Sequence, residues 1–405
     1  PVAVDSEAAA APFEDLGEIG RGGMGAVHAV VDRRLLRTMA RKALADQRRH
    51  DRAAVRRFVE EAQITGQLDH PNIVPVHQLG CDAAGQLFFT MKLVRGKTLA
   101  TLLRELGAER LAPEHLDRLV GVVLKVCDAL AFAHSRGVVH RDLKPSNVMV
   151  GSHGQVYVVD WGIAYVGGEA RDNDPEADQL LGSPPYMAPE QVRGLGIDER
   201  TDVYGVGGLL YTILTGKPPH VGDSSLSYIY DAVTGPVSAP AERCTDALLP
   251  PELCRIAMRA LAKDPVERYP SIDALQVEIE QFQRGGGWLA TRRFVAGELL
   301  IREGDPAEEA YVITTGTCEA FKTIAGERVS LRRMGPGEVV GEASLLSSRE
   351  RTASVAALED LTVRVVTRHS LERELAGNTW LRSLFRGLAE RFRDVDATLT
   401  DKLEG

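Results

Sequence analysis

Three consecutive glycines, Gly285-Gly286-Gly287, separate two stretches of sequence with different periodicities. No helix or strand interior favours such a run, because glycine loses the most backbone entropy on ordering and brings no side chain to pack. Before it, residues 113–280 read as mostly helical. Leu116, Leu119, Val120, Val123, Cys127 and Leu130 recur at helical spacing, Pro113 marks a helix start, and Gly107 and Gly137 punctuate the ends. After it come β-like segments at 299–301, 311–314 and 361–366. A chain of 405 residues has room for two or three domains, and the boundary is placed at this glycine run.

Residues 1–12 carry no apolar period and read as a tail. From Phe13 to about Thr90 the pattern is short strands with one helix near 53–68, whose apolar stripe is Val55, Phe58, Val59, Ala62 and Ile64. Near the C-terminus Leu381, Phe385, Leu388, Phe392, Val395 and Leu399 step by fours and threes. Such a seam serves equally as the packed face of an amphipathic helix or as a dimer contact.

A net charge of −9 argues against nucleic acid as a partner. The five cysteines are odd in number, scattered and never in a C-x-x-C pair, which points to neither a disulfide framework nor a zinc site and suits a reducing cytoplasm. Lys125 and Asp128 interrupt the longest apolar stretch, so no segment reads as a membrane-spanning helix. The acidic, Ala-rich start has no basic region of a secretory signal, and a first residue of Pro is consistent with a piece of a longer chain.

Gly20-Arg21-Gly22-Gly23-Met24-Gly25-Ala26-Val27 is a G-x-G-x-x-G-x-V loop, whose glycines let backbone amides approach phosphates. Alone it also fits a Gly-rich hairpin or a dinucleotide-binding turn. The latter runs straight into a helix, whereas β-like Val27, Ala29 and Val31 follow here. Fifteen residues on, Ala40-Arg41-Lys42 sets a lysine beside a small apolar residue, suited to pairing with nucleotide phosphates while Ala40 covers a base.

The decisive text is Val139-His140-Arg141-Asp142-Leu143-Lys144-Pro145-Ser146-Asn147, followed by Val159-Asp160-Trp161-Gly162. With the loop and lysine above, it resembles the eukaryotic-type Ser/Thr protein kinases of bacteria over about 270 residues. The resemblance implies that Asp142 orients the substrate hydroxyl or accepts its proton, that Lys144 stabilises the transferring phosphoryl group, and that Asn147 and Asp160 hold Mg²⁺. It implies Glu61 as ion-pair partner of Lys42, with Glu60 the neighbouring competitor. It makes Gly20, Gly22, Gly25, Val27, Ala40, Met91, Val94 and Met149 the ATP-binding wall, Met91 being the gatekeeper and Val94 the hinge residue that bonds adenine. Glu190 in Ala188-Pro189-Glu190, Asp202 and Arg268 become structural: Arg268 pairs with Glu190, and Asp202 braces the catalytic loop. Lys144 and Gly182-Ser183-Pro184 resemble the Ser/Thr class rather than the tyrosine class.

Three departures stand out. The family's Asp-Phe-Gly is Asp160-Trp161-Gly162, and Arg41 replaces an apolar residue before the lysine and should point outward on an alternating strand. Residues 163–182 contain no Ser or Thr, so activation by phosphorylation of this loop is not expected. Its acids Glu169, Asp172, Asp174, Glu176 and Asp178 read either as a phosphate mimic opposite a base such as Arg141 or as a solvated acidic loop.

Residues 288–395 resemble a cyclic-nucleotide-binding domain, on Gly297-Glu298, Glu303-Gly304-Asp305, Gly316 and above all Val340-Gly341-Glu342-Ala343-Ser344-Leu345-Leu346 running to Arg351-Thr352-Ala353-Ser354-Val355. The resemblance implies a site of Gly341, Glu342, Ala343, Arg351 and Thr352, in which Arg351 neutralises the cyclic phosphate and Glu342 accepts from the ribose hydroxyl. Thr352 suits either base, so cAMP and cGMP both remain as effectors. The competing reading has Arg351 paired with Glu342 in a domain without ligand.

The sequence therefore implies an α+β chain: a bilobal protein-kinase fold followed by a β-roll with C-terminal helices. The expected limits are a tail at 1–12, a kinase domain at 13–282 with its lobes meeting near 93, a linker at 283–287 and the sensor at 288–405. The expected activity is ATP- and Mg²⁺-dependent phosphorylation of protein Ser/Thr hydroxyls in the cytoplasm, regulated by a cyclic nucleotide, without nucleic acid or membrane partners. Two alternatives remain: a nucleotide-sensing scaffold that transfers little phosphate, and an active kinase whose terminal domain only forms a homodimer.

Overall fold

The computed structural model describes residues 13–371, except 23, 167–181, 195, 245–248, 285–288, 325, 348–349 and 369, together with Gly387. Backbone contacts divide the chain into two units, 1–287 and 288–405. The tail, the glycine run, the acidic loop residues and the heptad seam lie outside the described residues, so no contact supports a dimer through that seam.

The first unit begins with β1 (Phe13–Gly22), β2 (Gly25–Asp32) and β3 (Arg37–Leu44). After α1 (Arg52–Gln67), β4 (Val76–Cys81) and β5 (Leu87–Lys92) complete an antiparallel sheet of order β1-β2-β3-β5-β4. The glycine-rich loop is the turn between β1 and β2, with Gly22 opposite Gly25, which excludes a dinucleotide-binding strand–helix turn. Asp51 caps α1 by accepting from Ala53 and Ala54 amides at 3.0 and 3.2 Å. The buried face of α1 is Ala54, Phe58, Glu61, Ala62 and Thr65 rather than the expected apolar stripe, of which Val55, Val59 and Ile64 are only half-buried. The helix is rotated because Glu61 faces the sheet to meet Lys42, while Phe58 and Ala62 pack with Leu44 and Phe89.

Next come β6 (Gly96–Thr98), α2 (Leu99–Leu106) and α3 (Pro113–Ser135). Thr98 caps α2, Gly107 ends it at φ +51°, and Pro113 occupies the first turn of α3, where a missing N–H costs nothing. All six periodic apolar residues of α3 are buried. The stretch after it is less helical than its composition suggests. The strands β7 (Val138–Val139), β8 (Val148–Gly151), β9 (Val156–Val158) and β10 (Tyr165–Val166) form two small sheets, β10-β7 and β6-β8-β9. Their β-branched valines suit short ladders better than helix, and the ladders hold residues 140–147 between them.

The helices α4 (Pro189–Arg193), α5 (Glu199–Thr215), α6 (Ser225–Thr234), α7 (Pro240–Arg243), α8 (Pro251–Ala260) and α9 (Ile272–Arg284) complete this unit. The central one is α5, buried at every position from Thr201 to Thr215.

The second unit comprises β11 (Thr291–Phe294), β12 (Leu299–Ile301), β13 (Glu309–Thr315), β14 (Cys318–Ile324), β15 (Glu327–Met334), β16 (Val339–Val340), α10 (Glu342–Ser347), β17 (Ser354–Ala357) and β18 (Leu361–Thr367). Two four-stranded antiparallel sheets, β11-β18-β13-β16 and β12-β17-β14-β15, enclose Ile313, Cys318, Val355, Leu361 and Val363. Sequence periodicity misses β15 because only Met334 of its eight residues is buried.

Candidate active site and effector site

A cleft of about 490 Å³ in the first unit gathers residues from both its lobes. Gly20, Gly22, Gly25 and Val27 line it from the β1–β2 hairpin, and Ala40 and Lys42 from β3. Met91, Val94 and Met149 also line it, as do Asp142, Asn147 and Asp160. The glycines have different physical roles. A Cβ at Gly20 or Gly22 would meet no protein atom within 4 Å, whereas at Gly25 it would lie 1.9 Å from the Ala43 carbonyl oxygen. Gly25 is there so that β2 can close on β3, and the space above Gly20 and Gly22 is left for a ligand.

Lys42 Nζ donates to Glu61 Oε1 at 2.5 Å and lies 3.6 Å from Asp160 Oδ1. Burial pushes the Glu61 carboxyl above its ordinary range against the attraction of Lys42. Burial alone would lower the Lys42 ammonium, but Glu61 and Asp160 hold it above its ordinary range. Glu60 faces Arg56 instead, at 3.9 Å. Arg41 points to the opposite face of β3, where it pairs with Asp82 at 2.8 Å and covers the Phe88 ring.

Asp142 Oδ2 accepts from Lys144 Nζ at 2.7 Å, and Lys144 also donates to Ser183 Oγ. Asn147 Nδ2 donates to the Asp142 carbonyl at 2.8 Å, so its amide hydrogens are engaged within the loop and its carbonyl oxygen remains for a cation. Asp160 and Arg141 sit at φ +67° and +68°, a left-handed conformation in which non-glycine residues cluster at functional sites. Trp161 fits behind Asp160 almost fully buried, with its ring 4.6 Å from that of His140. The larger aromatic is thus packed, although its indole N–H has no partner among the described residues.

Two oxygen donors, from Asn147 and Asp160, fit Mg²⁺, which keeps several waters and takes its remaining ligands from substrate phosphates. No cluster of three or more His, Cys, Asp or Glu able to hold a metal occurs among the described residues.

Two buried braces lie beneath the loop. Asp202 on α5 accepts from the amides of His140 and Arg141 at 2.8 and 2.9 Å and bonds His134 Nε2 at 2.7 Å. Burial alone would raise the Asp202 carboxyl, but His134 holds it below its ordinary range. Arg268 clasps Glu190 through both guanidinium nitrogens at 2.7 and 2.8 Å, and Thr201 donates to the same carboxylate. Sequence reading missed His134, and it missed Gln191, whose amide donates to the Arg141 carbonyl at 2.7 Å. Neither lies in a motif with a chemical signature.

In the second unit Gly341 sits at φ +81°, and a Cβ there would lie 2.5 Å from Arg351 Nη1. Arg351 is buried and donates to the carbonyls of Gly341, at 3.0 Å, and of Glu309. The alternative Arg351–Glu342 pair is not formed among the described residues: Glu342 is exposed at the start of α10, and the guanidinium meets backbone oxygens instead. Ala343 is half-buried and Thr352 exposed. Burial pulls the Arg351 guanidinium down, against Tyr311, Glu309 and Asp305, which line a cavity of about 290 Å³ beside it.

Residues 13–278 match the protein kinase domain. The chain belongs to the protein kinase family. Residues 291–378 match the cyclic nucleotide-binding domain. Among similar proteins, the probable serine/threonine-protein kinase SCO3848 of Streptomyces coelicolor is 38% identical over 265 residues, 65% of this chain and 38% of that protein. Serine/threonine-protein kinase PknB of Mycolicibacterium smegmatis is 36% identical over 275 residues, 67% of this chain and 43% of its own length. PknD of Chlamydia caviae is 33% identical over 288 residues, 66% and 30% of the two chains. The chain therefore spans less than half the length of these curated relatives. No helix among the described residues is long and apolar enough to cross a membrane.

Proposed function

We propose that this protein kinase transfers the γ-phosphate of ATP to Ser or Thr hydroxyls of protein substrates, and that a cyclic nucleotide held by the second unit modulates the transfer. The observation that carries the reading is the convergence of Lys42, Glu61, Asp142, Asn147 and Asp160 on one cleft, with Lys144 bonded to Asp142 at its edge. Asp142 accepts the proton of the substrate hydroxyl as its oxygen attacks the γ-phosphorus and the bond to the β-phosphate oxygen breaks. Lys144, already held against Asp142, offsets charge on the transferring group. Lys42, fixed by Glu61, holds the other phosphates, and the amides above Gly20 and Gly22 cover them. Mg²⁺, when bound through Asn147 and Asp160, neutralises phosphate charge.

For the sensor, Arg351 exchanges its carbonyl partners for the cyclic phosphate, the amides at the start of α10 join it, and Glu342 is exposed and ready to accept from the ribose. An effector acts only by favouring one of two states, so the nucleotide must bind active and inhibited forms unequally. All five cysteines are free, which supports a reducing cytoplasmic setting.

The test is phosphate transfer from Mg-ATP to the chain itself and to a generic protein substrate, with and without cAMP or cGMP, beside Asp142→Asn. Transfer that disappears in the variant and changes with one nucleotide supports both halves. Transfer indifferent to nucleotide removes the regulatory half, and its absence throughout favours a nucleotide-sensing scaffold.

A further inference from the structure

His220 lies between α5 and α6, buried and outside every motif that identifies the kinase. Its ring is held at both nitrogens. Nε2 is 3.0 Å from the carbonyl oxygen of Met187 and 2.8 Å from Tyr204 Oη; Nδ1 is 3.3 Å from Asp231 Oδ2 on α6. Met187 belongs to residues 183–188, the segment that begins at Ser183 beside Lys144 and Asp142. Tyr204 stacks on the imidazole at an interplanar angle of 13°, and the Arg268 guanidinium, paired with Glu190, lies 4.8 Å from the Tyr204 ring centroid.

A neutral ring cannot donate to both Met187 and Asp231. A carbonyl oxygen and a carboxylate only accept, and neutral imidazole has one N–H to give. With the hydrogen on Nδ1, Asp231 is satisfied, Tyr204 donates to Nε2, and the Met187 carbonyl faces a lone pair. With the hydrogen on Nε2, Met187 is held and the Asp231 carboxylate faces a lone pair. The imidazolium donates at both ends, through Nδ1 to Asp231 and through Nε2 to Met187, and Tyr204 then gives up its own bond to Nε2.

We propose that His220 is a positioning residue for the protein substrate, a proton-dependent clasp that ties residues 183–188 to α6. This rests on the kinase reading above. The groups facing the ring are Tyr204 from α5, Asp231 from α6 and Arg243 from α7, whose guanidinium is tied to the carbonyls of Pro218 and Pro219. Lys263, after α8, lies across the adjoining cavity and donates to the Thr234 carbonyl. Burial pulls the imidazole below its ordinary range, while Asp231 and the Met187 carbonyl oppose that pull. The clasp therefore closes fully as pH falls below the ordinary imidazole range and opens at one end as pH rises. The Met187 end is the one whose release loosens the segment that starts beside Lys144 and Asp142, where the kinase reading places the substrate hydroxyl.

The experiment compares wild type with His220→Phe, which keeps the stack without nitrogens, and His220→Gln, which can donate to Met187 without titrating. Steady-state phosphorylation of a protein substrate is followed from above the ordinary imidazole range to below it. In wild type, KM for the protein rises roughly three- to tenfold with pH, the worth of one hydrogen bond, with little change in KM for ATP. In His220→Phe the protein KM is high and flat, and in His220→Gln it is low and flat. A wild-type slope that persists in both variants overturns the proposal. Imidazole NMR on the full chain supplies an arm independent of catalysis: the resonance missing from His220→Phe should titrate at lower pH in Asp231→Asn, and an unmoved titration also overturns it. A wild type without phosphotransfer defeats the kinase reading, and the NMR arm then decides the clasp by itself.

Discussion

The nucleotide cleft of the kinase unit and the cassette of the β-roll each hold a cation largely away from solvent, and they compensate it in opposite ways. Lys42 meets two carboxylates, and Asp142 is already held by Lys144 and Asn147. Arg351 meets two backbone carbonyls, while the carboxylate expected to serve its ligand, Glu342, stands exposed. Preorganised charges cost no rearrangement at the moment of reaction, which is what phosphoryl transfer requires. A sensor needs the contrary: a cation whose best partner is the effector, so that binding changes something. In the kinase unit the charged side chains already pair with one another, and in the β-roll the buried guanidinium is met by neutral backbone alone.

The contrast can be broken most forcefully at Asp142. Asp142→Asn should lower phosphotransfer about 10²- to 10⁴-fold, the worth of a positioned general base, with an unchanged melting temperature; residual activity above a tenth of wild type would show the cleft is not built around this carboxylate. In the β-roll, Arg351→Ala should weaken cyclic-nucleotide binding by about 1.5–3 kcal/mol, the value of hydrogen bonds to a charged group, read by calorimetry. Unchanged affinity would mean that Arg351 is structural and the comparison false.

The hairpin glycines sharpen the point on a smaller scale. Gly25→Ala forces a Cβ against the Ala43 carbonyl and should cost about 1–3 kcal/mol in thermal unfolding. Gly20→Ala meets no protein atom and should leave stability alone while raising KM for ATP. The smallest effect concerns pH. Burial alone would lower the His134 imidazole, but Asp202 and Glu199 hold it above its ordinary value of 6.5. A raised folded pKa contributes stability that is complete below 6.5 and lost as pH rises through the folded value. Differential scanning calorimetry should therefore show the kinase unit losing about 1 kcal/mol over that rise, and His134→Gln should flatten the dependence.

Much of this molecule is legible along the chain because its chemistry is local. The loop from His140 to Asn147, the Asp160-Trp161-Gly162 turn and the helix from Pro113 each carry their signals within a few residues, by type, spacing or period. Distances between such segments are not written locally. Neighbouring Glu60 and Glu61 differ only in which side of α1 they occupy, and that side was set by where β3 lies. Gly20 and Gly25 share one motif, yet a strand crowds only the second. Mostly polar β15 offers only Val329 and Leu331 as an alternating pair, and pairing with β14 rather than burial holds it in place.

The sequence by itself determined which chemical groups are present, their order, and the two kinds of unit that such an order builds. Tertiary structure alone decided the partners: Asp202 for His134, two carbonyls rather than Glu342 for Arg351, and three elements meeting at His220. The physical reason is that helix period and turn chemistry act over a few residues, whereas buried polar groups must be satisfied by whatever the completed fold brings within about 3 Å, however distant in the chain.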